Sequence, residues 1–129
     1  MKNLRKCSSL NLHSCSRENI SEYIKAGLEF HKENGFDAAD LPIDLIDLSK
    51  DGWQPYIEQA KQAADEVGIN IELCHLPFSG KVSAPSDYLP IFNAQMHRAI
   101  DAAVLLGVDY AVLHPNTSTL HLAKYDKIA

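Results

Sequence analysis

Three stretches of the chain repeat apolar residues at helical spacing, and each closes on a glycine. Ile20, Tyr23, Ile24, Leu28 and His31 mark one face of the first. Trp53, Tyr56, Ile57, Ala60, Ala64 and Val67 mark the second, and Leu89, Phe92, Met96, Ile100, Ala103 and Val104 the third. Residues three and four apart share one side of a helix, so each stretch predicts an amphipathic helix with its polar side in water. Asn19, Ser49 or Asp51, and Ser86 or Asp87 suit the three N-caps, and Pro55 fits a first turn, where its missing N–H is not needed. At the far ends stand Asn34-Gly35-Phe36-Asp37, Val67-Gly68-Ile69-Asn70 and Leu106-Gly107-Val108-Asp109, a weak repeat spaced by 33 and 39 residues. The position after a last helical turn often takes a left-handed conformation, which costs glycine least.

Each glycine opens a short run dominated by apolar residues: Phe36 to Leu41, Ile69 to Leu76 and Val108 to His114. Runs without strict alternation read as strands covered on both faces, as in a parallel sheet. With Lys6 to Leu12 as a first strand, the order is strand and helix three times, a fourth strand, and a tail from Thr117 that suits the start of a fourth helix. Such alternation predicts a parallel sheet in the order 1-2-3-4, with right-handed crossovers and the helices on one side.

An open doubly wound sheet and the first half of an eight-stranded barrel both accept this order; the full barrel takes about 250 residues. The loop after the first strand, Asn11 to Ser16, has no glycine and so no dinucleotide-binding GxGxxG. The third strand ends in His75, where a response-regulator-like sheet would place an acid. The expected fold is therefore α/β, a parallel (β/α) barrel of the TIM type truncated to about its first four strands. Residues 1–129 would be the N-terminal half of a single (β/α)8 domain. Half a barrel leaves strands one and four as open edges beside an apolar inner face, so association with further copies of the chain is expected.

Composition narrows the partners. The chain is 46% hydrophobic, but no apolar stretch nears the ~20 residues of a membrane span, and the basic start Met1 to Cys7 has no apolar segment behind it. A cytoplasmic protein is expected. Three cysteines without CxxC spacing suggest neither a disulfide framework nor a thiolate zinc site. Lys and Arg total 12 against 17 Asp and Glu, a net charge of -5 with no basic run. Since phosphate neutralisation supplies most nucleic-acid affinity, no nucleic-acid partner is expected.

His75 and His114 end the third and fourth strands, in Leu73-Cys74-His75-Leu76-Pro77-Phe78 and Val112-Leu113-His114-Pro115-Asn116. The C-terminal strand ends of a parallel barrel form the mouth where catalytic groups from several strands meet. Alternation sends Ile71, Leu73 and His75 toward the barrel axis and Cys74 toward the helices, against Cys74 as a ligand. An imidazole on the axis can bind a divalent metal or move a proton near neutral pH. One such histidine reads more readily as a core residue satisfied by a carbonyl; two on adjacent strand ends, each close to a strand-stopping proline, point to a site. Asp40 ends the second strand, either orienting a ligand or substrate hydroxyl at the same mouth or starting a loop. Asp44, Asp47 and Asp51 read as solvated or capping, His13 as exposed, and His31, His97 and His121 as surface or packing residues. Leu12-His13-Ser14-Cys15 lacks the His-x-His of amidohydrolase-type metal sites.

Gly35-Phe36-Asp37-Ala38-Ala39-Asp40-Leu41, His75-Leu76-Pro77-Phe78 and His114-Pro115, taken in order, resemble the sugar phosphate isomerase/epimerase superfamily. That superfamily shares the xylose isomerase-like barrel with the apurinic endonuclease branch. The chain departs from it in Asp40, where glutamate is common, and in Asn116, where a glycine often follows His-Pro. The resemblance implies a divalent metal (Zn, Mn, Mg or Co) at the mouth, bound chiefly by residues of later strands. It also implies isomerisation or epimerisation of a small hydroxy-carbonyl sugar by proton transfer through an enediolate. His75 and His114 would be metal ligands as in the endonuclease branch, or line the substrate pocket as in the epimerase branch, with Asp40 beside them as the third catalytic candidate. The other functions left open are a metal-dependent phosphodiester hydrolase acting on abasic DNA and an inactive fragment. The 129 residues alone are expected to be inactive.

Overall fold

The apolar runs and glycine-closed helices form in the expected order. A computed structural model of the protein describes residues 5–12, 16–43, 46, 48, 50–77 and 88–113. They comprise β1 (Cys7–Ser9), α1 (Ile20–Glu33), β2 (Ala38–Pro42), α2 (Gln54–Val67), β3 (Asn70–His75), α3 (Tyr88–Leu106) and β4 (Tyr110–Val112). All three strand pairs are parallel and the sheet order is β1-β2-β3-β4. Neighbouring helices pack on one another, α1 on α2 and α2 on α3. None of the described helices is long and apolar enough to cross a membrane.

β2 is the strand that most needs cover. Its five residues are all buried, between β1 and β3 at its edges. Leu41 and Ile43 join Ile24, Leu28, Ile57 and Cys74 among fully buried side chains of one continuous core. His31 ties the edge strand to this core. Its ring is buried near the end of α1, with Nδ1 2.8 Å from the Gly27 carbonyl and Nε2 3.0 Å from that of Ser8 in β1. It is thus a packing residue, as its helical position implied.

Gly35, Gly68 and Gly107 all have positive φ, as the repeat implied. At Gly68 the φ of 74° lets its N–H and that of Ile69 both reach the Ala64 carbonyl, at 2.8 and 3.2 Å, closing α2. A Cβ there would stand 3.3 Å from Lys32 Nζ, which itself donates to the Val67 carbonyl.

The starts and phases of the helices depart more from expectation. Asn19 is the N-cap of α1, but its Oδ1 accepts from Ser16 N at 2.8 Å and makes no bond into the helix. α2 starts from Trp53, not from Ser49 or Asp51, with Pro55 in its first turn as expected. Asp51 instead takes a hydrogen bond from Arg98 at 2.9 Å. In α3 the buried stripe is Gln95, Ala99, Ala102 and Leu106, while Ile100 and Val104, expected inside, are 48% and 75% exposed. Met96 and Ala103 flank that stripe, partly buried. This helix is apolar around most of its circumference, so periodicity alone leaves its rotation open. The small Ala99 and Ala102 let it approach its neighbours, and that sets the phase.

Gly68→Ala is expected to lower the unfolding free energy by about 1–2 kcal/mol, the cost of a left-handed conformation at a residue with a Cβ. Urea denaturation followed by circular dichroism measures it, and an unchanged midpoint would contradict the left-handed cap.

Candidate functional site

The strand ends that carry the candidates are set by a slip in register. Ala38 and Ala39 pair with Asn70 and Ile71, but Asp40, Leu41 and Pro42 pair with Leu73, Cys74 and His75. Glu72 is the extra residue of a β-bulge, a device that re-aims the side chains beyond it. Before the bulge Ile71 packs with the helix-side core; after it Cys74, three positions on, lies in that same core. A regular strand would put those two on opposite faces. Ile71 therefore does not share the face of Leu73 and His75 as alternation predicted, whereas Cys74 does turn toward the helices.

The same slip brings Asp40 and His75 together. Asp40 does not end β2 as expected; it sits mid-strand opposite Leu73, two residues before Pro42. His75 is the last residue of β3, opposite Pro42, so the two side chains are diagonal neighbours across the pair. His75 Nδ1 lies 2.7 Å from Asp40 Oδ2, a close ion-pair approach without the alignment of a linear hydrogen bond. Asp40 is 4% exposed, and its Oδ1 has no hydrogen-bond partner among the described residues. The His75 side chain is 32% exposed. A buried carboxylate thus stands behind a histidine that reaches the surface.

Two neighbouring thiols register that charge. Burial pushes the Cys74 thiol up to about 11 from an ordinary 9.0, with the Asp40 carboxylate adding to the shift. Cys7 is also raised, first by burial and then by Asp40 and Glu72, against the lowering effect of Arg5. Glu72, which residue spacing did not single out, is ion-paired to Arg5. Nothing in the local pattern signals the bulge that places it there.

His114 lies outside the described residues, as do His13, Asp44, Asp47 and the segment 78–87 that follows β3. β4 runs beside His75, which pairs with Val112, and Leu76 N donates to the Val112 carbonyl at 3.0 Å. Among the described residues no group of three or more His, Cys, Asp or Glu side chains is placed to hold a metal. His75 and Asp40 approach each other, with no third such side chain beside them among the described residues. A cavity of about 530 Å³ lies at the other end of the sheet, bordered by Arg5, Lys61, Glu72, Asp109 and Tyr110, away from the Asp40–His75 pair.

No protein family and no curated protein sequence matches the chain. Among solved structures, the apo form of 3-keto-D-glucoside 4-epimerase, YcjR, from E. coli superimposes with a TM-score of 0.55 and 19% identity. The match covers 97% of this chain and 50% of the epimerase, so the chain spans half the length of that structure. The chain shares its fold with part of that epimerase: four parallel strands in sequential order, the first three each followed by a helix.

Burial raises the Cys74 thiol above its unfolded value, so the folded state favours the protonated form. That contribution to stability is complete below pH 9.0 and is lost as pH rises through about 11. Urea titrations of wild type and Cys74→Ala across this window check it. The wild type is expected to lose stability faster with rising pH than the variant, and parallel curves would refute the shift. At about pH 8, well below the raised value, iodoacetamide should leave Cys74 unmodified in the folded chain.

Proposed function

We propose that the chain is the N-terminal half of a xylose isomerase-like barrel and belongs to a metal-dependent isomerase or epimerase of small sugars. The observation that carries this reading is the fold shared with a sugar epimerase over 97% of the chain, with Asp40 and His75 in contact toward the C-terminal ends of neighbouring strands. Those ends are where parallel α/β folds gather their reacting groups. In this reading His75 and His114 border the substrate or hold a divalent cation, and Asp40 supports them. A bound Zn²⁺, Mn²⁺, Mg²⁺ or Co²⁺ would polarise the carbonyl of a hydroxy-carbonyl sugar. The chain's own residues supply part of a site for such a cation, since an imidazole at a strand end, backed by a buried carboxylate, is a common metal-ligand arrangement. Interconversion requires removing a proton from the carbon beside the carbonyl and returning it to the same or the neighbouring carbon. The net charge of -5 and the lack of a basic run count against an abasic-DNA hydrolase.

Two measurements test the proposal. Isothermal titration of the 129 residues with Zn²⁺ or Mn²⁺ is expected to show weak binding, because a tight catalytic site takes about three protein ligands. A longer chain that carries these residues into a closed barrel is expected to exchange the proton beside the carbonyl of a hydroxy-carbonyl sugar with deuterium from D₂O. His75→Ala and His114→Ala should each lower that exchange by about 10–100-fold. Unchanged rates in both variants would make the two histidines ordinary packing residues.

A further inference from the structure

The last turn of α1 closes through hydrogen bonds gathered around the dipeptide Asn34-Gly35. Gly35, exposed and at a φ of 74°, donates its N–H to the Lys32 carbonyl at 3.1 Å, and Phe36 donates to the His31 carbonyl at 3.0 Å. This is a Schellman arrangement, with glycine in the left-handed position it favours. The Asn34 side chain joins it. Its Nδ2 donates to the Phe30 carbonyl at 2.8 Å, which also accepts the Asn34 backbone N–H at 3.0 Å.

Asparagine is a labile residue, and one followed by glycine carries an electrophile beside an unshielded nucleophile. Nothing lies within 4 Å of where a Cβ on Gly35 would stand. Once the Gly35 N–H has lost its proton to base, a bond can form between Gly35 N and Asn34 Cγ. The Cγ–Nδ2 bond then breaks and Nδ2 leaves as ammonia. Water opens the resulting cyclic imide, at Cγ to leave aspartate or at the main-chain carbonyl of Asn34 to leave isoaspartate. The balance is amide and water to acid and ammonia, with no further reactant. Ring closure requires Cβ, Cα, the carbonyl carbon and the Gly35 nitrogen to lie near one plane. In the cap the Asn34 ψ is 12°, so the asparagine's own nitrogen lies near that plane and Cβ stands out of it.

We propose that Asn34 is a self-modifying site, latched by the native cap and converted to aspartate and isoaspartate only when the last turn of α1 opens. The latch holds both reacting groups, the nucleophile on the Lys32 carbonyl and the leaving amide on that of Phe30. Conversion acts on the joint that leads into β2. A carboxylate in place of the amide cannot donate to Phe30, and it stands at the negative end of a helix beside Glu33. Isoaspartate also adds a carbon to the main chain between α1 and β2. That lengthening pulls against the next tie, where Asp37 N donates to the Lys6 carbonyl at 2.8 Å and the Asp37 carboxylate accepts from Lys6 N at 2.7 Å.

Peptide mapping by mass spectrometry follows the conversion in the 129-residue chain, held in mildly alkaline buffer with and without enough urea to unfold it. Circular dichroism reports the folded state. In urea both products are expected at Asn34. The same peptide of Asn34→Gln should stay unmodified, because its longer side chain would have to close a larger ring. In the folded chain the conversion is expected to be at least about 10-fold slower, since the cap must open first. Absence of both products in urea, or equal rates in the folded and unfolded chains, overturns the proposal. The isoaspartate form, separated by chromatography, is expected to unfold at a lower urea midpoint than the unmodified chain, and an unchanged midpoint overturns the link to β2. No sugar or metal enters either measurement, so this proposal and the isomerase reading stand or fall separately.

Discussion

The pairing of β2 with β3 is the constraint on which the candidate site depends. β2 is buried along its whole length, so its register cannot slip without moving Leu41 out of the core. A one-residue slip would turn every later side chain to the opposite face. The bulge at Glu72 makes such a change once, on β3 only, and both strands settle on its consequence: Leu41 and Cys74 inside, Asp40 and His75 together on the other face. Packing on the helix side thereby fixes a polar contact on the face away from it.

Holding that sheet in place falls to a few ties between layers. His31 bridges α1 and β1 through two backbone carbonyls, giving a three-residue edge strand an anchor that its short ladder lacks. Arg98 in α3 donates to the Leu48 carbonyl at 2.8 Å and to Asp51, so the segment between β2 and α2 is fastened to the third helix. The exposed pair Lys25–Glu66, at 3.0 Å, joins α1 and α2 but contributes little beside the buried ties, because water screens it.

The far side of α3 and the last strand look different. Ile100, Val104, Tyr110 and Leu113 are large apolar side chains left exposed among the described residues. In the epimerase structure half of the chain lies beyond the region matched here.

Much of this was legible from local pattern. Three apolar runs beside a first strand, three glycine-closed helices, parallel sequential order and a helix-facing Cys74 all follow from residue spacing and backbone preference, which act over a few residues and leave their mark in the sequence. His75 at the end of β3 was legible for the same reason. The bulge was not, because an extra residue in one strand is a property of a pair, and neither strand's sequence shows what it will face. Hence the helix-side placement of Ile71, the position of Asp40 within β2 rather than at its end, and the close approach of Asp40 and His75 all lay beyond what local pattern can tell. The rotation of α3 escaped it too: a helix apolar on most sides takes its phase from the neighbours it meets, and here Ala99 and Ala102 met them while Ile100 and Val104 were left in water.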